Sequence, residues 1–370
     1  MSIDQLTWDD LPRPEPMPSL EAYNNERIQR LKLYPKCKEN FDKYEKSSRR
    51  NKKLDYLPLK LDIENVSRCN FRCVMCQVSE WPGGKRAEDL ALHKFIEIVD
   101  QNPGLLEIKL QGMGEPTMGR DEYFEMIRYA RNLHIWVRTV TNGSLLHQND
   151  NIEKFLSSGV NEIQISIDGS TKDVFEKIRK GGKFEKVKGN VSNLNFEASR
   201  RGKKITKMWT VVQQSNIEQL ESLVDLATEL QFPSMVFSLD VIDWGNMAWT
   251  ARNSAIKADS SLTLERAFRL VDLGSERGIR VAFWNINQKY ETKDLSSLCP
   301  WPFERAYIGS DERVVPCCMI ADPDTYEIGQ AGAGSQKQTF VQIWNSVEYE
   351  KFREAHLTGQ VPNVCRSCYR

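Results

Sequence analysis

From Leu57 onward the chain keeps one rhythm: short runs rich in β-branched and aliphatic residues alternate with longer stretches of helical periodicity. Seven strands are predicted, at residues 57–64, 105–111, 135–141, 161–167, 204–212, 234–242 and 279–284. Helical patterns fall between them, near 87–102, 120–133, 150–158, 171–180, 185–201, 216–230 and 262–277. Strand alternating with helix predicts an α/β fold with a parallel sheet, whose functional groups gather at the C-terminal ends of the strands. Six or so such units suit a partial (β/α)6 TIM-like barrel rather than a complete eightfold one. Residues 1–56 read as an N-terminal extension: a Pro-rich stretch (LPRPEPMPSL), one helical pattern from Leu20 to about Tyr44, and a basic cluster, KSSRRNKK, that reads as a solvated helix end. The barrel takes 57–285 and a small C-terminal module takes 286–370, with QAGAGSQKQ (330–338) as a loop.

Fifty-one basic residues balance fifty-one acidic ones, which argues against a general nucleic-acid or membrane-surface binder. No run of about 20 apolar residues predicts a membrane span, and MSIDQLTWDD lacks the pattern of a secretory signal. A cytoplasmic location is therefore expected, where the nine cysteines would stay reduced. Their spacing then speaks for metal ligation or thiol chemistry.

Just after the first strand, SRCNFRCVMCQ sets Cys69, Cys73 and Cys76 at C-x3-C-x2-C spacing on a loop. Three thiolates converge only if a metal centre offsets their repulsion. Structural zinc asks for a fourth ligand, and no Cys or His stands nearby. An iron–sulfur cube with three protein ligands instead leaves one iron open to a small molecule. Zinc and plain structural thiols are the alternatives.

This segment resembles the radical S-adenosylmethionine (SAM) superfamily, whose signature C-x3-C-x-Φ-C follows the first strand of a partial barrel. Position Φ, usually aromatic, is Met75 here, a soft apolar residue expected to pack on the adenine. In QGMGEPTM, Gly112, Gly114, Glu115 and Pro116 look like the family's GGEP segment, which grips the methionine amine of SAM. The resemblance further implies that Ser166 and Arg179 meet the SAM carboxylate and ribose, that Asp168 and Asn142 bind ribose hydroxyls, and that Val211 flanks the adenine. Strand-end capping is the alternative for Ser166, Arg179, Asp168 and Asn142, and a core role for Val211. The implied cofactors are SAM and a three-cysteine [4Fe–4S] cluster, fed by a reductant such as flavodoxin or ferredoxin. The implied activity is reductive cleavage of SAM to a 5′-deoxyadenosyl radical that abstracts hydrogen from a substrate carbon.

The C-terminal module carries Cys299, the adjacent pair Cys317 and Cys318, and a closing C-x2-C of Cys365 and Cys368. AYIGSDERVVPCC reads as two strands joined by a turn at Ser310-Asp311. A four-cysteine zinc ribbon is one reading. The segment is similar to the SPASM/twitch extensions of radical SAM enzymes, in the shorter form seen in the 2-deoxy-scyllo-inosamine dehydrogenase type. That resemblance implies an auxiliary [4Fe–4S] cluster on Cys299, Cys317, Cys365 and Cys368. Cys318 would face away from it, as a buried apolar residue, a hydrogen-atom donor or an alternative ligand. Cys37 reads as structural. A fully ligated auxiliary cluster suits electron uptake, so the expected reaction is a two-electron oxidation of a small polar metabolite such as a sugar or aminocyclitol. An epimerase, a peptide-modifying maturase and a non-catalytic iron–sulfur protein are the alternatives. Peptide-modifying members often carry an N-terminal module of about eighty residues, which the first fifty-six do not resemble. Asp240, Asp243, Trp244, Trp284 and Asn285 are candidate substrate contacts.

Overall fold

The computed structural model describes residues 6–258, 262–284, 289–332 and 338–370. Strands β1 (Lys60–Ile63), β2 (Glu107–Leu110), β3 (Trp136–Thr141), β4 (Glu162–Ser166), β5 (Thr206–Val211), β6 (Ser234–Ser238) and β7 (Arg280–Trp284) pair in chain order, all parallel. All seven expected strands are present, each within its expected span. The sheet then continues beyond β1. Strand β8 (Arg305–Ile308) runs parallel to β1, β9 (Arg313–Val315) antiparallel to β8, and β10 (Gly329–Gln330) antiparallel to β9. The resulting ten-stranded order is β10-β9-β8-β1-β2-β3-β4-β5-β6-β7. The C-terminal module is therefore built onto the barrel's first strand, where the chain pattern had suggested a separate unit. The predicted hairpin at Ser310-Asp311 forms, and its turn sets Glu312 at φ 68°.

Period-two alternation sorts each strand's side chains to two faces. Leu61 and Ile63, Ile108 and Leu110, Ile163 and Ile165, and Ala306 and Ile308 go outward into one apolar core with Phe95, Phe124, Val191, Leu223 and Leu270 of the covering helices. The opposite face carries Lys60, Asp62, Glu107, Lys109, Arg138, Glu162, Lys207, Arg305 and Tyr307. Such a lumen is not the Val/Ile/Leu-filled interior of a closed barrel. It is lined with charge and can admit a polar guest.

The N-terminal extension closes the lower end of this lumen. Its helical part is two helices, Leu20–Leu33 and Pro35–Lys46, rather than the single one expected, because Pro35 starts a new helix at its first position. Tyr23 packs edge-on against Trp136 at 5.1 Å and its hydroxyl donates to Glu107 at 3.1 Å. The Pro-rich stretch runs beneath the strands: Phe283 N–H donates to Pro12 O at 2.8 Å, Met17 N–H to Glu162 at 3.0 Å, and Lys207 Nζ to Glu15 O at 2.6 Å. Removing residues 6–18 strips two hydrogen bonds from buried charges and uncovers Leu11 and Met17, which are 2% and 6% exposed. At about 1.5–3 kcal/mol for each such bond and each such side chain, the truncated chain is expected to lose at least about 3 kcal/mol in urea unfolding.

The basic cluster is spent on ion pairs: Arg50 with Glu304 at 3.4 Å, Lys52 with Glu354 at 2.8 Å and Lys53 with Glu350 at 3.8 Å. It ties the extension to the C-terminal module. That module packs around Trp344, Tyr349 and Arg353, whose guanidinium lies 4.3 Å from the Trp344 ring. No helix among the described residues is long and apolar enough to cross a membrane.

Candidate active site

The loop after β1 carries Cys69, Cys73 and Cys76 to the C-terminal mouth of the lumen. Two of these sulfurs receive a backbone N–H from two residues on, Cys69 from Phe71 at 3.4 Å and Cys76 from Val78. Arg179 Nη1 stands 3.9 Å from the Cys73 sulfur and Asn142 Nδ2 4.0 Å from that of Cys69. Burial pushes all three thiols up, Cys76 to about 12, and the sulfurs' own proximity raises Cys69 and Cys76 further. Left alone they would stay protonated. Donors aimed at the sulfurs, and a mutual repulsion that only cationic irons relieve, fit an iron–sulfur cluster. Among the described residues no three ligand side chains converge as they would on a single ion; a cubane does not ask for it, since each thiolate binds a different iron.

The GEP segment lies against this loop. A Cβ on Gly114 would come within 2.3 Å of Val66 O and 2.4 Å of Arg68 O, and one on Gly112 within 2.2 Å of Glu64, so both close approaches require glycine. Glu115 is buried, and its carboxylate accepts from Thr117 Oγ1 at 2.7 Å, Thr141 Oγ1 at 2.6 Å and Asn142 N at 2.7 Å. With a further bond from Thr117 N–H, these tie the segment to the end of β3, three of them on Oε1 and one on Oε2. Pro116 begins the short turn Pro116–Gly119 that follows.

The remaining expected SAM contacts divide. Asp168 is fully buried, pairs with Arg179 at 2.7 Å and accepts Val211 N–H at 2.8 Å, so it orients the arginine and the end of β5. Arg179 Nε is buried without a hydrogen-bond partner, which leaves a donor for an anionic ligand. Asn142 accepts from Ser144 N–H at its amide oxygen and donates its nitrogen to Asn70 Oδ1 at 2.9 Å, and so braces the cysteine loop. Ser166 ends β4 on the lumen face with Gln164. Met75 is half-buried, and its carbonyl accepts from Trp244 Nε1 at 3.3 Å. Gln213, just past β5, escaped the sequence reading; both polar atoms of its buried side chain lack partners among the described residues. Lys109 and Asp62 escaped it too. They are neighbours in register, face the lumen, and form neither an ion pair nor a side-chain hydrogen bond among the described residues. The alternation in KLDI and EIKL was the signal.

At the second cluster, burial pushes the thiols of Cys299, Cys317, Cys365 and Cys368 up, Cys299 to about 12, and Cys299, Cys317 and Cys365 are raised further by other sulfurs of the set, Cys368 acting on each of the three. Trp301 N–H reaches the Cys299 sulfur, and Met319 and Ile320 N–H that of Cys317. Cys299 N–H donates to Tyr369 Oη at 3.0 Å, and that hydroxyl lies 2.9 Å from His356 Nδ1, whose ring burial holds neutral with a pKa pushed down to about 4. These four thiols and their donors fit a fully ligated cluster. Cys318 turns the other way. It packs with Val78, Met113, Tyr307 and Val315 in the apolar patch that Cys69, Cys76 and Trp244 also touch, and it feels the charges of Asp62 and Lys109.

Of the proposed substrate contacts, Asp243 caps its own turn through Gly245 N at 3.0 Å, and Asp240 pairs with Lys257 at 3.4 Å. Trp284 is 48% exposed, its ring 6.3 Å from that of Trp209 at the lumen rim. Asn285 lies outside the described residues.

Residues 65–227 match the family model of the radical SAM superfamily, and residues 299–369 that of the SPASM iron–sulfur cluster-binding domain. The mycofactocin maturase MftC of Mycobacterium tuberculosis is 27% identical over 84% of this chain and 75% of its own length. The Mycolicibacterium smegmatis MftC aligns at 27% identity over 59% of this chain and only 57% of its own length. The PqqA peptide cyclase of Gluconobacter oxydans is 25% identical over 85% of this chain and 83% of its own. In fold, the chain resembles Streptococcus suis SuiB bound to the precursor peptide SuiA, with a TM-score of 0.63 at 16% identity over 85% of this chain and 69% of that one. Such domains hold SAM, a [4Fe–4S] cluster that binds it, and auxiliary clusters. The chain thus carries a radical SAM domain and a C-terminal SPASM domain, the two joined through one continuous sheet.

Proposed function

We propose that this protein is a peptide-modifying radical SAM enzyme that removes hydrogen from a peptide carbon, with the second cluster as electron acceptor. One observation carries the choice of peptide over the sugar or aminocyclitol first expected: the relatives that align over 84–85% of the chain, and so reach into both cysteine clusters, are a maturase and a peptide cyclase. When bound, the two clusters would supply one-electron chemistry, reductive cleavage of SAM at the first and electron uptake at the second. Cys69, Cys73 and Cys76 would hold the first, and Cys299, Cys317, Cys365 and Cys368 the second.

The chain's own residues position and shield. The Gly112–Gly114 backbone lies at the mouth where the methionine end of SAM would rest. Arg179, oriented by Asp168, offers its unpartnered Nε to the SAM carboxylate. Ser166, Val211 and Gln213 would border the nucleoside. Below them Lys109 and Asp62, each pushed by burial toward its neutral form, present an amine and a carboxyl to polar groups of the substrate, while Trp209 and Trp284 form an apolar rim. Cys318 faces this space, placed for a side-chain contact with the substrate. The N-terminal extension seals the far end against water.

The test uses anaerobically reconstituted full-length protein with SAM and dithionite. One arm supplies peptides translated from short reading frames beside its gene, and the other 2-deoxy-scyllo-inosamine. A peptide that loses two hydrogens in step with 5′-deoxyadenosine formation supports the reading. Oxidation of the aminocyclitol with every peptide unchanged overturns it in favour of the small-metabolite reaction.

A further inference from the structure

Arg305 opens β8 on the lumen face, paired in register with Lys60. Its guanidinium lies 5.4 Å from the ring of Trp301, two residues after Cys299. Among the described residues it forms no ion pair, and its Nε is buried with no hydrogen-bond partner. Its neighbours on the lumen floor are otherwise engaged: Lys60 and Arg138 share Glu107 at 2.9 and 2.6 Å, and Lys207 takes Glu162 at 2.9 Å. The residue is half-buried, and the lumen carboxylates that feel its charge, Glu107 and Asp62, do not pair with it, so the buried Nε is left to face a further anion. Its charge is felt at Cys299 and Tyr290 on one side and at Cys318 on the other, between the four-cysteine set and the lumen.

We infer that Arg305 is the counter-cation of the auxiliary cluster and that it raises that cluster's reduction potential, which deepens the electron-acceptor role in the reading above. A cubane on four thiolates is anionic in both oxidation states and more so when reduced, so a fixed cation at close range stabilises the reduced form more. The low dielectric of a buried site strengthens the effect, and the Trp301 ring holds the guanidinium in place. Arg305 acts through the cluster and is a positioning residue, not a catalytic one.

The experiment is a reductive titration of reconstituted full-length protein, followed by electron paramagnetic resonance, with iron counted in each preparation. Arg305→Gln is expected to lower the midpoint of the second cluster by about 59 mV or more, the tenfold equivalent for one electron, and to leave the first cluster unmoved. Arg305→Lys, which keeps the charge, should retain most of the wild-type midpoint. An unchanged midpoint in Arg305→Gln at full iron content overturns the inference. Equal falls in both variants, or loss of the second cluster from both with the first intact, assign Arg305 to packing or assembly and overturn it as well. No substrate enters the measurement, so the peptide reading can fail while this result stands, and the reverse.

Discussion

Reconstituted Cys73→Ala protein is expected to lose SAM cleavage down to background while keeping the iron of its second cluster, about four atoms where the wild type holds about eight. Cys73 is the most buried of the trio and the one that Arg179 addresses at 3.9 Å. Without its sulfur the loop has two ligands, too few to hold a cube with an open corner. Iron analysis, the spectroscopic change on SAM addition, and 5′-deoxyadenosine by mass spectrometry check the three parts of this outcome. Cys299→Ala should show the mirror image in iron: the first cluster and its response to SAM survive and the second is lost. If Cys73→Ala still cleaves SAM at the wild-type rate, the assignment of the trio is wrong.

Glu107→Gln is expected to cost about 3–5 kcal/mol of folding stability, because it leaves Lys60 and Arg138 facing each other at the lumen floor without their carboxylate. Glu107 also accepts from Tyr23, so the same change loosens the N-terminal plug. Burial alone would raise this carboxyl, but Arg138, Lys60 and Arg305 together hold it well below the usual carboxylate range. The sign of the pH dependence follows. A carboxylate whose folded pKa is depressed binds fewer protons in the native state than in the unfolded chain once the pH falls below the unfolded value near 4.3. Its contribution is complete above that pH and drains away as the pH drops toward the folded pKa. Urea unfolding at pH 7 and at pH 3 should therefore show a wild-type-to-Glu107→Gln gap that narrows in acid. A gap independent of pH would mean that the floor is held by packing and not by charge.

Much of this protein is local in its sequence. Strand–helix alternation fixes seven parallel strands because each element's apolar pattern must find a partner layer. C-x3-C-x2-C sets three sulfurs within one loop whatever surrounds it, whereas the period-two reading of Cys317 and Cys318 assumes extended chain where the structure has a turn at 318–320. These readings needed only spacing and period.

What the tertiary structure decided depends on residues far apart in the chain. That Glu115 holds the end of β3 depends on Thr141 and Asn142, some 26 residues on, which donate to its carboxylate. The role of the first fifty-odd residues as a plug rests on Tyr23 meeting Glu107 and Met17 meeting Glu162, contacts that no local pattern encodes. The fusion of the C-terminal module with the barrel is likewise a pairing, Lys60 with Arg305, across more than half of the chain. Local chemistry specifies which groups a segment carries; only closure of the sheet determines which charges pair and which, like Arg305 and Lys109, form no ion pair among the described residues.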